Sequence, residues 1–501
     1  MTARLRPARI TWPVTVLALA AIALVATACS GSSKPATTPT VAAVAVADPR
    51  PVGPIAHEGH WLTDASGRVL MLHGTNMVSK GAPYYPAAAG FDDDDGAWLE
   101  ANGFDVVRLG VMATALMPEP GMVSDTYLDQ IGQTVDMLAR HHILVLLDFH
   151  QDGWGESVGS DGFPGWMTLT GNAQNTHTTF PLYYVTNPAI QAAFQSFWDN
   201  APGPGGAGIR DQFDVMAHAL ASRFGGAPNV LGYDLINEPW PGTTWEPCGA
   251  NADGCPGLDR TELDAFYASA THAIRASDRQ HLVFGEPFVL FNFGNAPTNI
   301  ALPGGDANTG LSFHVYPLSP DGVPRVLKNA EAWAQGTGGA LLETEWGATD
   351  DAPVITQQAD AFDEALVPWI FWTYDENMVR DLHKPPTGDN LVASTVGAVV
   401  RPHPLAIAGT PTRVHYDPAT RTLEVSWSAT MPDGRQLPTG TVTSIELPAS
   451  VYHGAYKFTA TGAKRDASSN STMLTFTNEP GADGATVTIS PDPTPVVAGT
   501  P

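Results

Sequence analysis

The stretch Ile143-Leu-Val-Leu-Leu-Asp-Phe-His150 is an almost continuous apolar run that ends in ionisable residues. Strands without alternating polarity are buried on both faces, which is typical of parallel sheets covered by helices. Similar β-prone runs recur on both sides of it. These runs are Val69–Gly74, Val106–Leu109, Val230–Ile236, Leu282–Phe284, Leu311–Tyr316, Ala340–Glu345 and Trp369–Thr373.

Helical patterns separate several of these runs. Leu128, Ile131, Val135 and Leu138 have the spacing of one apolar helix face, and residues 209–224 also have a helical pattern. Strands that alternate with helices, eight of them over about 350 residues, predict a (β/α)8 TIM barrel. A doubly wound sheet is the alternative, but no glycine-rich phosphate loop follows an early strand.

The pattern changes after the Arg401-Pro-His-Pro404 segment. Runs rich in Thr and Val, such as Thr422–Trp427 and Met473–Thr477, are separated by turn residues, and no helical period is visible. This pattern predicts a C-terminal antiparallel β-sandwich. The predicted organisation is a signal peptide at 1–28, a flexible tether at 29–54, the barrel at 55–402, the sandwich at 403–490 and a loose tail at 491–501.

The N-terminus has the features of an export signal. Arg4, Arg6 and Arg9 precede a 15-residue apolar run at 14–28, which is too short to span a membrane comfortably. Small residues directly before Cys29 resemble a bacterial lipobox, with Cys29 as the lipidation site. Cleavage at an ordinary secretory site is the alternative. We therefore expect an exported bacterial protein, either a lipoprotein on the cell surface or a secreted one.

The other two cysteines, Cys248 and Cys255, lie in one short loop. Export to an oxidising compartment favours a disulfide between them. Two free thiols are a weaker alternative, and a metal site is weaker still because no histidine lies nearby.

Composition excludes several classes of protein. The 501 residues include 51 acidic and only 25 basic ones, for a net charge of −26, which is unfavourable for nucleic acid binding. The apolar fraction of 43% excludes wholesale disorder. Abundant glycine, proline and tryptophan are typical of a loop-rich exported protein with aromatic surfaces, and not of a coiled coil.

Active sites of such barrels lie at the C-terminal ends of the strands. The residues found there are polar, ionisable or aromatic, and their joint placement on one rim indicates an active site. They are Asn76 and Lys80 after the first strand, Arg108 in the second, His150, Gln151 and Asp152 after the third, Asn237 and Glu238 after the fourth, His314 and Tyr316 after the sixth, Glu345 in the seventh and Trp372 in the eighth.

Two carboxylates among them, Glu238 and Glu345, should face each other across the barrel mouth. One carboxylic acid can protonate a leaving glycosidic oxygen while the other carboxylate attacks the anomeric carbon, and a separation of about 5–5.5 Å gives retention of configuration. We expect Arg108 and Tyr316 to keep Glu345 ionised. Glu343 has the same strand parity and is the alternative nucleophile. We favour Glu345 because the chain turns just after it.

The longer motifs resemble those of family 5 glycoside hydrolases and, within that family, those of endoglycoceramidases. The resemblance extends from about residue 55 to about 490. The motifs that carry it are residues 76–86, Asp148-Phe-His-Gln-Asp152, Asn237-Glu-Pro-Trp-Pro-Gly242, the Cys248/Cys255 loop and residues 401–409. His403, where tyrosine is expected, and the sequence Gly153-Trp-Gly155 depart from the family pattern.

The resemblance implies a role for each matching residue and requires neither a cofactor nor a metal. Glu238 would be the acid/base and Glu345 the nucleophile. The implied substrate contacts are Asn237 to the 2-hydroxyl, His150 and Trp372 to the sugar next to the scissile bond, and Lys80, Gln151 and Asp152 to other hydroxyls. His314 and Tyr316 would bind substrate beside the two carboxylates and orient them. Arg108 matches a general family residue of the substrate-binding site.

The sequence thus predicts a retaining β-glycosidase whose partner is a glycolipid or an oligosaccharide, with a membrane surface reached through a lipid anchor. A cellulase-like endoglucanase or β-glucosidase on lipid-free substrates is the alternative. A non-enzymatic carbohydrate-binding lipoprotein is the third hypothesis, although it needs no paired carboxylates. For a glycolipid, we expect an apolar flank built by the loops after strands six to eight, with Tyr316, Trp346 and Trp372 near its floor.

Overall fold

The computed structural model describes residues 48–492 apart from residues 247, 249–250, 295, 318 and 320–321. The predicted signal peptide, Cys29, most of the tether and residues 493–501 lie outside the described residues and stay predictions. Among the residues that the structure describes, no helix is both long enough and apolar enough to cross a membrane.

A closed barrel of eight parallel strands occupies the centre of the molecule and confirms the predicted TIM barrel. Three short strands precede it: β1 (Ala56–Glu58), β2 (Trp61–Thr63) and β3 (Val69–Leu70). The barrel strands are β4 (His73–Met77), β5 (Val106–Met112), β6 (Leu144–His150), β7 (Val230–Asp234), β8 (Leu282–Gly285), β9 (Thr309–Val315), β10 (Ala340–Gly347) and β11 (Trp369–Trp372).

Most of the helices alternate with the barrel strands, and the last one, Ala449–Tyr452, lies in the C-terminal region. The helix Asp125–Arg140 begins where Ser124 accepts a hydrogen bond from the Tyr127 N–H, and its predicted apolar face is buried. The helices are Pro86–Ala89, Asp93–Ala101, Ala113–Leu116, Asp125–Arg140, Tyr183–Thr186, Pro188–Trp198, Ile209–Phe224, Pro256–Leu258, Asp264–Arg275, Gly322–Thr337, Ala352–Ala365, Ala393–Val399 and Ala449–Tyr452.

The C-terminal region forms antiparallel sheets, as predicted. One sheet has the order β13-β14-β19-β16, and a larger sheet contains β12, β15, β18 and β17. These strands are β12 (His403–Ile407), β13 (Thr410–Asp417), β14 (Thr422–Ser428), β15 (Val442–Glu446), β16 (Tyr456–Thr461), β17 (Ala463–Arg465), β18 (Met473–Asn478) and β19 (Gly484–Pro491).

The larger sheet also contains β1, β2 and β3, because β3 pairs antiparallel with β12. The run Val69–Gly74, predicted as one barrel strand, is therefore divided between two sheets. Leu62 and Leu405 of this sheet share one apolar cluster with Val106 and Leu144, the first residues of β5 and β6. This sheet thus packs against the N-terminal end of the barrel, opposite the rim that carries the site.

Buried ionisable groups lie where the sheet meets the barrel. His403 lies 2.6 Å from Asp105 through Nε2, and its ring stacks on that of His73 at 3.7 Å. His73 stacks in turn on Trp369 at 4.0 Å. Burial lowers the pKa of His403, but the charge of Asp105 and the hydrogen bond to it raise this pKa above the ordinary value. His403, the departure from the family pattern, is thus paired with a buried carboxylate.

We predict that His403→Phe destabilises the protein by about 3 kcal/mol, because removing one partner of a buried ion pair leaves the other charge uncompensated. Phenylalanine keeps the ring that stacks on His73. The midpoint of urea unfolding, followed by tryptophan fluorescence, measures the effect.

Lys384→Ala is the matched control. Lys384 pairs with Asp381 at 2.7 Å, but the side chains are 68% and 37% exposed, and exposed pairs contribute little. Its unfolding midpoint should match that of the wild-type protein. Equal midpoints for the two variants would contradict the assigned importance of the buried pair.

Candidate active site

The C-terminal rim of the barrel brings Glu238 and Glu345 together. One carboxylate oxygen of each residue and one ring nitrogen of His314 lie within 4.8 Å of one another. Glu238 and Glu345 are only 4% and 5% exposed. The predicted pair therefore exists as a compact, desolvated site.

Glu238 follows β7 in a constrained position. Its φ angle of 42° lies in the left-handed region, which is uncommon for residues other than glycine and occurs often at functional sites. Its Oε1 accepts hydrogen bonds from His314 Nδ1 at 2.9 Å and from Asn292 Nδ2 at 2.8 Å. Both donors fix the same oxygen, so Oε2 faces a different environment.

Glu345, in β10, has a cationic partner. Arg108 donates to its Oε1 at 2.8 Å, and the Tyr316 hydroxyl donates to its Oε2 at 3.1 Å. The pKa of Glu345 lies above its ordinary value, because burial outweighs the opposing positive charges of His314 and Arg108. The two predicted partners, Arg108 and Tyr316, thus hold one oxygen each.

Glu343 lies outside this cluster, although strand parity made it a candidate. The pairing register between β9 and β10 shifts between Glu343 and Glu345, so simple alternation does not hold there. The Glu343 carboxylate accepts a bond from the Ile370 N–H at 3.4 Å, and burial raises its pKa well above the ordinary value. This environment favours a neutral carboxylic acid.

Arg108 is fully buried beneath the two carboxylates. It contacts protein groups in every direction, which differs from the expected role in substrate binding. Its partners are Asp148 at 3.0 Å, Asp234 at 2.9 Å, Glu286 at 2.9 Å, Glu345 at 2.8 Å, Asn76 at 3.2 Å and Asn237 at 3.0 Å.

A polar and aromatic pocket lies beside the pair. Lys80 forms an ion pair with Asp152, and its Nζ lies 4.7 Å from the centre of the Trp372 ring. The Trp372 ring stacks on His150 at 5.4 Å. Burial lowers the pKa of His150, but the charge of Asp148 and the hydrogen bond to it raise this pKa to about 9. A groove of about 450 Å³ continues past Lys80, Trp372 and Glu376.

Gln151 differs from its expected contact with a sugar hydroxyl. Its side chain is fully buried, and its amide Nε2 donates to the carbonyl oxygens of Asn237 at 2.5 Å and Glu238 at 3.2 Å. Its Oε1 accepts the Trp154 N–H at 2.7 Å. Gln151 therefore holds the segment that carries the acid/base candidate.

Several residues of the site were not predicted. Glu286 accepts the Glu238 N–H at 2.9 Å, and Asn292 contacts the Glu238 side chain. Asp161 pairs with Asp152 through backbone hydrogen bonds. Glu286 directly follows β8, so the strand-end rule points to it once the fifth barrel strand is followed to its end. No comparable signal marks Asn292, which lies in the short 3-10 helix Val289–Phe293, or Asp161, which lies in the loop after β6.

Among the residues that the structure describes, two groups of side chains have a geometry that could hold a cation. They are Glu238, His314 and Glu345, and His150, Asp152 and Asp161. Each group already includes or contacts a positive charge, since Arg108 contacts Glu345 and Lys80 pairs with Asp152. The donor sets are thus explained without a metal.

The predicted disulfide between Cys248 and Cys255 is present, with Cα atoms 4.9 Å apart. It closes a short loop after Glu238. The loop packs beside Phe288 and Phe291, which follow β8. The bridge therefore stabilises the loops on the Glu238 side of the rim.

The barrel and the paired carboxylates together define a glycoside hydrolase. Residues 64–378 match the family described as Cellulase (glycosyl hydrolase family 5). Residues 401–490 match the Glycoside hydrolase family 5 C-terminal domain. The chain therefore belongs to glycosyl hydrolase family 5.

Curated relatives and solved structures agree with this family. Endoglycoceramidase I of Rhodococcus hoagii is 32% identical over 390 residues, which cover 73% of this chain and 75% of the relative. An endoglycoceramidase of Cyanea nozakii is 29% identical over 416 residues, covering 74% and 80%. The structure of endo-glycoceramidase II from Rhodococcus sp. has a TM-score of 0.70 at 25% identity, covering 86% of this chain and 99% of that one. The resemblance inferred from the motifs is thus confirmed.

We predict that Tyr316→Phe lowers kcat/KM roughly 10- to 100-fold, because a hydrogen bond to a charged group is worth about 1.5–3 kcal/mol. The variant removes only the hydroxyl that contacts Glu345. Steady-state kinetics on an aryl β-glycoside measure the loss.

Tyr456→Phe is the control. The Tyr456 hydroxyl donates to the Asn470 carbonyl at an exposed position of the sandwich. This variant should have the kinetics of the wild type. A Tyr316→Phe enzyme with unchanged kcat/KM would show that the hydroxyl does not support Glu345.

Proposed function

We propose that this protein is a retaining β-glycosidase that hydrolyses the linkage between the glycan and the ceramide of glycosphingolipids or similar glycolipids. The observation that carries the reaction type is the approach of the Glu238 and Glu345 carboxylates to within 4.8 Å. Retaining enzymes have carboxyl groups about 5–5.5 Å apart, whereas inverting enzymes need about 6.5–9.5 Å to admit a water molecule.

In the first step, the Glu345 carboxylate attacks the anomeric carbon and forms a glycosyl ester. The glycosidic C–O bond breaks while Glu238, in its acid form, donates its proton to the leaving oxygen. Because Oε1 of Glu238 accepts the N–H groups of His314 and Asn292, we place the transferable proton on Oε2. The aglycone leaves as an alcohol.

In the second step, the Glu238 carboxylate accepts a proton from a water molecule. The oxygen of this water attacks the anomeric carbon, and the ester bond to Glu345 breaks. The sugar leaves with its original configuration, and Glu345 regains its carboxylate form. Arg108 and Tyr316 stabilise the negative charge that returns to Glu345.

The pocket near Trp372 suits the glycan. Sugars bind where an aromatic face lies beside hydrogen-bonding groups, and Trp372 lies beside Lys80, His150 and Asp152. The similarity to endoglycoceramidases supports a glycan that is released from a lipid.

An apolar segment on the loops after β6 suits the aglycone. Phe180 and Leu182 are 58% and 60% exposed. The hydroxyl of their neighbour Tyr184 accepts the Gly153 N–H at 3.2 Å, and the Tyr184 ring stacks on that of Trp240 at 5.5 Å. Trp240 lies two residues after Glu238 in the sequence. Exposed apolar patches often mark interaction sites.

The sequence predicts the apolar flank on the loops after the sixth to eighth barrel strands, which are β9, β10 and β11. This segment instead follows β6, the third barrel strand. Trp346, which was expected near the floor, is completely buried and packs edge-on against Phe362, Trp369 and Phe371. It is therefore part of the core. Trp372 carries Lys80 on its face and belongs to the polar side of the site.

We predict that Glu345→Gln lowers kcat by roughly 10⁴-fold or more, because it removes the nucleophile. Glu238→Ala should lose roughly 10²- to 10⁴-fold on substrates with poor leaving groups. On an activated aryl β-glycoside, azide should partly restore this variant, because azide attacks the glycosyl-enzyme without needing a base. Kinetics with and without azide, and identification of a β-glycosyl azide by NMR, measure both effects.

Glu343→Gln is the control, since glutamine mimics a neutral carboxylic acid and can still accept the Ile370 N–H. It should keep its activity. Loss of activity in Glu343→Gln together with an active Glu345→Gln enzyme would move the nucleophile to Glu343 and refute the assignment.

We also predict a strong preference for glycolipids over lipid-free substrates. Hydrolysis of fluorescent glycosphingolipids in detergent micelles should be at least about tenfold faster than hydrolysis of cello-oligosaccharides, because burial of apolar surface adds binding energy. Equal rates on both would instead favour the cellulase-like function.

A double variant, Phe180→Ser with Leu182→Ser, tests the apolar segment. Its activity on glycolipids should fall while its activity on a soluble aryl β-glycoside stays unchanged. The matched control is Val215→Ser with Val354→Ser, two side chains that are each 41% exposed on helices elsewhere. If both double variants hydrolyse glycolipids equally well, the segment does not bind the aglycone.

A further inference from the structure

The groove beside Trp372 extends the glycan pocket away from the two reacting carboxylates. It has a volume of about 450 Å³ and lies between the loop after β4, which carries Lys80, and the turn after β11, which carries Asp375 and Glu376. The Trp372 ring also borders the pocket itself, because it stacks on His150. A glycan that binds with one sugar beside Trp372 can therefore continue into this groove.

The two acidic residues of the groove are fixed by a tight turn at the end of β11. Glu376 has a φ angle of 67°, and its N–H donates to the Val379 carbonyl at 2.9 Å. The Thr373 hydroxyl donates to Asp375 Oδ1 at 3.0 Å. Residues other than glycine in the left-handed region are uncommon and occur often at functional sites. The turn thus places two adjacent carboxylates on the wall of the groove.

The charges of the groove are unbalanced. Of the described residues that line it, only Lys80 is basic, and Lys80 already pairs with Asp152 on the loop after β6. Burial raises the pKa of Asp375 to about 6, and the charge of Glu376 adds to the increase. Asp375 is nevertheless ionised at pH values above about 7. Asp375 and the exposed Glu376 therefore give the groove two negative charges that Lys80 does not balance.

This lining suits a neutral sugar. Carboxylates accept hydrogen bonds from hydroxyl groups, and the half-buried Tyr85 adds an aromatic ring to the same groove. A sugar that carries a carboxylate would instead meet like charges at short range, and such contacts reject wrong ligands. The groove can therefore distinguish sugars by their charge.

We propose that Asp375 and Glu376 form an outer glycan site that selects neutral sugars and rejects negatively charged ones. This inference deepens the proposed function and rests on it, because it concerns the glycan of the same substrate. It does not depend on the aglycone, since Phe180 and Leu182 lie on the loop after β6. The site adds a local repulsion to the general one that follows from the net charge of −26.

The test compares two soluble aryl β-glycosides of sialyl-lactose. One keeps the carboxylate of the sialic acid, and in the other this carboxylate is converted to the neutral primary amide, which has nearly the same shape. Above about pH 7 and at an ionic strength of about 0.01 M, kcat/KM should be roughly tenfold higher for the amide. At about 1 M salt the preference should fall to about twofold or less, because the Debye length shortens from about 30 Å to about 3 Å.

Variants of the turn assign the preference to its two charges. Glu376→Gln and Asp375→Asn should each lower the preference for the amide to about threefold, and the charge reversal Glu376→Lys should abolish it. The ratio of the two kcat/KM values is measured, so a general loss of activity cancels. The matched control is Glu331→Gln with Glu364→Gln, two exposed acids on barrel helices, which changes the net charge as much as Glu376→Lys does. It should keep the tenfold preference.

Equal hydrolysis of the two glycosides by the wild type would overturn the inference. A preference that Glu376→Lys retains, or one that salt leaves unchanged, would also overturn it, because it would reflect shape rather than charge. The aryl β-lactoside without the sialic acid separates the remaining outcomes. Activity on this disaccharide but on neither trisaccharide would overturn the outer site, whereas inactivity on all three substrates would refute the proposed function.

Discussion

The buried guanidinium of Arg108 is the interaction on which the site depends. Taking a charge out of water costs several kcal/mol unless every donor finds a partner. Here the partners come from β4, β6, β7 and β10 and from the residues that follow β7 and β8. A rigid, planar fork of donors matches carboxylates in fixed directions, which lysine does not. One side chain therefore sets the relative positions of several strand ends, including the one that carries Glu345.

The carboxylates around Arg108 outnumber its single positive charge. Asp148, Asp234, Glu286 and Glu345 all lie within 3.0 Å of the guanidinium. Repulsion among buried carboxylates favours either protonation or a further cation. His314 lies where such a cation is needed, between Glu286 and the reacting pair. The division of work between an acid and a nucleophile thus follows from the charge arrangement of the whole rim.

The sequence predicted the eight barrel strands because burial on both faces leaves continuous apolar runs, and it predicted Glu238 and Glu345 because strand ends converge. It did not predict that β3 leaves the barrel, since Val69 and Leu70 are as apolar as a barrel strand and periodicity does not reveal a change of sheet. The sequence placed Gln151 at the C-terminal rim of the barrel, where it lies. The direction of its side chain depends on packing, however, and here the side-chain amide forms hydrogen bonds with backbone groups. Glu286 belongs to none of the longer motifs, although it directly follows the fifth barrel strand, where the strand-end rule points to it.

The sandwich and the site are linked through one strand. Asp105 directly precedes β5 and pairs with His403 of β12, whereas Arg108 lies three residues further along β5. Both anchors are buried ion pairs, which are costly to break and strongly directional. The strand that carries the central guanidinium is therefore held just before its start by the C-terminal sheet and, three residues further along, by the carboxylates around Arg108. A sheet that packs against the closed end of the barrel in this way helps to place the catalytic groups at the open end.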